Sequence, residues 1–226
     1  YLESVSGRDL AEYDVLLLPV GNVAFPPDER EKLRKFVDNG GVLWIDNYGG
    51  SFENTETTRF FIQELGFSGS GSGGGSTQLP LQAPDWARYH SLINRPFTLD
   101  WTEINKLSFL NIGGSARCVT GKSGGVPDPW YFSSIIVGRS GAPVVSAAQY
   151  GSGSIVVCAE PVSAAITVPV GIGAESYRCG QLYVAAHAED LRLAYNIVST
   201  GTAHTTFQKS PRHVGYSFGQ VGAPLA

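Results

Sequence analysis

Tyr13 to Gly50 reads YDVLLLPVGNVAFPPDEREKLRKFVDNGGVLWIDNYGG. Val15 to Val20 is a short, almost wholly apolar run without alternation, the pattern of a strand buried on both faces of a parallel sheet. Pro26, Pro27, Asp28 and Glu29 then signal a helix start: proline fits the first turn, and acidic side chains there favour the positive end of the helix dipole. Leu33, Phe36 and Val37 recur at helical spacing and give one apolar stripe. Asp28/Lys32 and Glu31/Lys35 are i, i+4 pairs on the wet face, each contributing about 0.3 kcal/mol. Asn39, Gly40 and Gly41 end the helix, because glycine takes the left-handed cap without penalty. Val42 to Ile45 is a second strand. Strand, helix and strand of these lengths make a right-handed βαβ crossover.

Downstream, Glu53 to Leu65 has helical spacing, with Gly66 as its cap. Residues 68–76 (SGSGSGGGS) are a flexible linker by composition. Gly69, Gly71 and Gly74 in it match a formal G-x-G-x-x-G, but no strand precedes them and no helix follows, so a dinucleotide site is rejected. Residues 77–133 read as an irregular insertion, including an arm from Leu79 to Pro96. Ala116 to Ser123 (ARCVTGKS) narrowly misses a phosphate loop, with alanine at the first glycine and Gly124-Gly125 where a helix should begin. Ser134 to Arg139, Pro143 to Gln149 and Ser154 to Ala159 read as strands, the last two joined by a tight turn at Gly151-Ser152-Gly153. Val162 to Gly173 reads as a loop. Glu189 to Ser199 is a closing helix with Leu191, Ala194, Tyr195 and Val198 as its inner face. Residues 201–226 have no periodicity and read as an extended tail that needs a surface to lie on.

The stretch EYDVLLLP…PPDEREKLRKFVDNGGVLWIDNYGG resembles the class I glutamine amidotransferase-like superfamily, in particular its non-catalytic bacterial envelope-type branch. The likeness spans Leu10 to Gly66. It is weaker over Tyr150 to Ser199, where YGSGSIVVCAEP looks like a late hairpin strand and EDLRLAYNIVS like the closing helix. The loop around Arg88-Tyr89-His90 and Arg95-Pro96-Phe97 is loosely similar to a loop of relatives near the C-terminal edge of the sheet. The resemblance implies a flavodoxin-like three-layer α/β/α sandwich with a mostly parallel central sheet, here with long loop decorations, over residues 1–200. Catalytic members carry Cys at the turn after the GGVLWI-type strand, and a His with Glu after a late strand. This chain has Asp46, Asn47 and Tyr48 at the first place. At the second it has Ala159-Glu160-Pro161, without a His two residues before Glu160. A thiolate mechanism needs a thiol at the turn and a base within reach, so the resemblance points to a non-catalytic member.

The 226 residues suffice for one large α/β domain. A net charge of −4 with no basic patch argues against non-specific nucleic-acid binding. No apolar run reaches the ~18 residues of a membrane span. Residue 1 is Tyr and Met is absent, which points to a processed chain or part of a longer polypeptide. About a dozen residues precede Tyr13, so the first strand usual in the resembled fold is expected to be lost, rearranged or supplied by another chain. The spacing of Cys118, Cys158 and Cys179 fits no zinc or thioredoxin pattern. Cys158, in a β-run, reads as a buried core thiol. Cys118 and Cys179 are candidates for a disulfide if the protein is exported. Abundant Gly, Ser and Thr with few Lys suit an extracellular or envelope location.

Three functions compete. The first is a protein-interaction or assembly domain without cofactor, its partners other proteins, further copies or other domains of a larger polypeptide. Its candidate contacts are Trp86, Trp130, Phe207, Tyr216 and Phe218, aromatics in irregular or tail segments, alongside Trp101 and Tyr131. The second is a hydrolase or metal-dependent enzyme. Asp46 follows a strand where open α/β sheets bind ligands, beside the cleft candidates Asn47, Tyr48 and Gly49, and Glu160 and His90 would complete a water- or metal-positioning set. The competing structural roles are a capping or turn carboxylate for Asp46, an ion pair for Glu160 and a hydrogen-bonded loop residue for His90. The third is a carbohydrate or small-ligand module using Trp and Tyr faces.

Overall fold

Val15, Leu16, Leu17 and Leu18 are all buried, alternating between two hydrophobic clusters on opposite faces of one sheet. The computed structural model describes residues 10–20, 25–47, 65–66, 71–72, 80–103, 119–120, 132–139, 141, 143–158, 162, 177–179, 182–184, 188–205 and 213–216. Within these, strand β1 is Tyr13–Val20, helix α1 Pro27–Asp38 and strand β2 Val42–Asn47. Then come β3 (Gly71–Ser72), a 3-10 turn at Asp85–Ala87, α2 (Ser91–Asn94), β4 (Val119–Thr120), β5 (Ser133–Val137), β6 (Pro143–Tyr150) and β7 (Gly153–Cys158). The order closes with β8 (Tyr177–Cys179), β9 (Leu182–Val184), α3 (Ala188–Thr205) and β10 (His213–Tyr216).

The main sheet runs β10-β1-β2-β7-β6-β5. β10, β1, β2 and β7 are parallel, and β6 and β5 continue antiparallel. The fold is therefore mixed α/β with a sheet that is mostly parallel at its centre. The expected βαβ unit is present: Val15 stands opposite Val42 and Leu18 opposite Ile45. On one face Leu16, Leu18, Leu43, Ile45, Ile155 and Val157 meet Leu33, Phe36 and Val37 of α1. On the other, Val15, Leu17, Val42, Trp44, Val156 and Cys158 meet Leu193, Ala194 and Ile197 of α3 and Leu92, Ile93 and Leu99 of the arm.

Helix α1 starts and stops where the sequence says. Pro27, Asp28 and Glu29 fill its first turn, Asn39 is the C-cap, and Gly40 follows at φ 102°. On its wet face Glu31 meets Arg34 at 2.7 Å and Lys35 at 3.2 Å. These hydrogen bonds, Arg34's the stronger, hold the Glu31 carboxyl down at about 2. The C-terminal end of α1 seats the β6–β7 hairpin. Ser152 N–H donates to Asp38 O at 3.1 Å and Ser154 N–H to Gly41 O at 3.2 Å. A Cβ on Gly153 would collide with the carbonyls of Val37 and Gly41, and one on Gly41 with the Phe36 ring.

Four expectations need correction. The closing helix runs six residues beyond Ser199, through Gly201 to Thr205; one glycine costs a helix only about 1 kcal/mol. Its inward face is rotated: Leu193, Ala194, Asn196 and Ile197 are buried, whereas Tyr195 is exposed. The expected extended tail does not begin at Gly201, since 201–205 are helical, and within it His213–Tyr216 lies beside β1 as strand β10. Gly71–Ser72, inside the expected linker, pairs antiparallel with Val119–Thr120, since a ladder needs only backbone groups. The expected helix from Glu53 and the loop from Val162 fall outside the described residues, apart from Leu65 and Val162, both buried.

Candidate functional site

Asp46 lies one residue before the end of β2, level with Cys158 of β7 and Pro19 of β1. Strand alternation puts it on the same face as Val42 and Trp44. Its side chain is wholly buried, and Oδ1 accepts from Trp44 Nε1–H at 2.6 Å. An indole N–H buried in a core needs such a partner. Asp46 thus matches a carboxylate that serves the fold's interior. Asn47 ends the strand; Tyr48, Gly49 and Glu160 lie outside the described residues.

His90 caps α2, its Nδ1 accepting Leu92 N–H at 3.2 Å. That assigns the ring proton to Nε2 in the neutral form. Burial pushes the imidazole below its ordinary value. Its ring meets Trp86 edge-on at 6.4 Å. Trp86, expected as an interaction residue, is half-buried against the α3-side core, as is Trp101. Trp130, Phe207 and Phe218 lie outside the described residues, and Tyr216 is placed only as the last residue of β10. Cys158 is a buried thiol of the α3-side core, as expected. Cys118 is outside the described residues, and Cys179 is placed only as the end of β8.

The described residues are most organised where the arm crosses α3. Asn196 is fully buried. Its Nδ2 donates to Leu92 O at 2.9 Å and Phe97 O at 2.7 Å, and its Oδ1 accepts from Phe97 N–H at 3.0 Å. Glu189, also buried, accepts Asp100 N–H at 2.9 Å with one oxygen and Arg192 at 2.6 Å with the other. Asp100 closes the arm locally, accepting both N–H and hydroxyl of Thr102; these bonds lower its carboxyl from the ordinary value.

This clamp presents a pair of aromatics. Phe97 (44% exposed) meets Tyr195 (51% exposed) edge-to-face at 5.9 Å, and Tyr89 on the same arm is 91% exposed. None of the three was singled out as a surface contact in the sequence, because an exposed aromatic has no period of its own. Tyr195 even fits an i, i+3, i+4 set with Leu191 and Val198. Among the described residues no group of three or more His, Cys, Asp or Glu is placed to hold a metal ion, and no helix is long and apolar enough to cross a membrane.

No family model matches the chain, and no curated protein does. Among solved structures it is similar to an exo-β-1,4-mannosidase of an Opitutaceae bacterium, at 12% identity and a TM-score of 0.35 over 87% of this chain. The chain spans 26% of that enzyme's length. It is also similar to a cytoplasmic protein of Salmonella typhimurium, at 13% identity and a TM-score of 0.42, covering 86% of this chain and 74% of that one.

Proposed function

We propose that this chain is a non-catalytic protein-interaction domain of an exported or envelope-associated assembly, built on an amidotransferase-like, flavodoxin-like three-layer sandwich. The observation that carries this reading is the clamped, exposed aromatic pair of Phe97 and Tyr195, with a further exposed aromatic, Tyr89, on the arm. Rigid, exposed aromatics lose little conformational entropy on contact and are the residues that dominate interface energetics. Here the arm that bears two of them is fastened by three hydrogen bonds from one buried asparagine. The non-catalytic part draws support from Asp46 and His90, whose characterised oxygen and nitrogen are engaged by Trp44 and Leu92. The sandwich draws support from α1 and α3 on opposite faces of the sheet.

The test is site-specific photo-crosslinking in cells that make the protein. A photoreactive phenylalanine analogue at position 97 or 195 is expected to trap a partner as one adduct of defined mass. The same analogue at the exposed Lys35 of α1 is the control. Equal labelling at 97, 195 and 35 would sink the aromatic face. A hydrolytic activity of the purified chain that disappears in Asp46→Asn would overturn the non-catalytic reading.

A further inference from the structure

His90 stands where the 3-10 turn at Asp85–Ala87 hands over to α2. Its main chain is engaged on both sides. The N–H donates to Ala87 O at 2.9 Å, and the carbonyl accepts Ile93 N–H at 3.0 Å and Asn94 N–H at 3.2 Å. The side chain adds the one bond that a change of protonation reverses. Nδ1 takes Leu92 N–H, which lies in the first turn of α2 and has no carbonyl of that helix to bond. Serine, threonine and asparagine, the commoner caps, do not titrate. An imidazole that gains a proton becomes a donor at both nitrogens, and Leu92 N–H then faces another N–H.

Leu92 links this cap to the rest of the fold. Its side chain is buried in the α3-side core, and its carbonyl accepts Asn196 Nδ2–H at 2.9 Å. The same asparagine holds the N–H and carbonyl of Phe97. We propose that His90 is a pH-sensitive latch: protonation of its ring withdraws the cap from α2 and loosens the segment from Leu92 to Asp100 on α3. The direction follows from burial, which holds the imidazole below its ordinary value. The closed segment favours the neutral ring. Its stabilisation is therefore complete above the unfolded value of about 6.5 and is lost as pH falls through the folded one. The charges on the elements around the ring are engaged elsewhere or point to water. In the 3-10 turn and just after it, Asp85 and Arg88 pair at 3.0 Å. On α3, which packs on α2, Glu189 and Arg192 pair at 2.6 Å. Tyr89 and Arg95 are exposed, and β5, which packs on the 3-10 turn, has no ionisable side chain. Among the described residues burial alone shifts the ring. The latch operates whether or not the Phe97–Tyr195 pair meets a partner.

The experiment is amide exchange of the full chain at about pH 7.5 and about pH 5.5, on either side of the ordinary imidazole value. Each rate is divided by that of the unfolded sequence at the same pH, because exchange itself depends on pH. One unit below its ordinary value the ring of an opened segment is about ten-to-one protonated. Protection at 91–100 is therefore expected to fall several-fold, up to about tenfold, while Leu43 to Ile45 keep theirs. The carboxyl of Asp100, lowered by its bonds from Thr102, titrates below this range. His90→Asn supplies a cap acceptor that does not titrate and is expected to abolish the fall. Protection that stays constant in the parent, or a fall that persists undiminished in His90→Asn, overturns the latch. Should His90→Asn fail to fold, the unaltered protein is titrated by NMR. A Leu92 amide that moves with the same midpoint as the His90 ring supports the latch, and one that ignores the ring overturns it.

Discussion

Asp46 stands one residue from the end of a strand in the parallel part of the sheet, and its side chain is buried. Its short bond from Trp44 Nε1–H leaves a defined energetic signature. In Asp46→Ala the buried indole loses its acceptor, which costs about 1–3 kcal/mol. Asp46→Asn keeps a carbonyl oxygen for it and is expected to cost less. Denaturant unfolding of the two variants measures the difference. An Asp46→Ala protein as stable as the parent would show that the Trp44 bond is not what keeps Asp46 in place. The residues that organise the arm were illegible for a related reason. Asn196 and Glu189 are not among the inner-face residues expected of the closing helix, and four of the five groups they hold are backbone groups about 90–100 positions away. Backbone partners leave no mark in a sequence.

At the scale of elements, the βαβ unit was legible because several local signals agree: an unbroken apolar run, Pro27 with acidic residues in the first turn, and a glycine cap. β10 was not, since HVGY is four residues long and contains a glycine, and only its place beside β1 makes it a strand. The same logic explains the hairpin. Gly151-Ser152 announces a turn in the sequence, but that the turn rests on the end of α1 follows only from the structure. Gly153→Ala tests this docking. The new methyl meets the carbonyls of Val37 and Gly41, neither of which is a movable side-chain end. Overpacking of this kind costs about 1–3 kcal/mol. Gly66→Ala is the comparison: nothing lies within 4 Å of its Cβ, and only its φ of 70° is strained, at about 1–2 kcal/mol. Thermal unfolding is expected to show Gly153→Ala at least as destabilised, with amide exchange rising at Asp38 to Val42 and Ser152 to Ile155. Exchange unchanged at those positions would mean that the hairpin and α1 do not depend on each other.

For the molecule as a whole, the sheet with α1 is one tightly registered body, and the arm, with the residues that continue it to Asp100, is laid over α3. Leu92, Ile93 and Leu99 bury apolar surface there, but the arm's main chain is positioned by Asn196 and Glu189. Segments held by a few polar contacts open as separate units below the global unfolding free energy. Asn196→Ala deletes three hydrogen bonds and leaves the buried or half-buried backbone groups of Leu92 and Phe97 without their partner. By general magnitudes this weakens the arm by about 3 kcal/mol, or on the order of a 100-fold rise in amide exchange at 91–100. The centre of the sheet, Leu43 to Ile45 and Ile155 to Val157, is expected to keep its protection. Because Phe97 rides on the arm and Tyr195 on the helix, the same substitution should separate the aromatic pair and weaken photo-crosslinking at position 97 more than at 195. A uniform loss of protection across arm and sheet would show that the two unfold together, and the aromatic face would then be part of one rigid body rather than held by a latch.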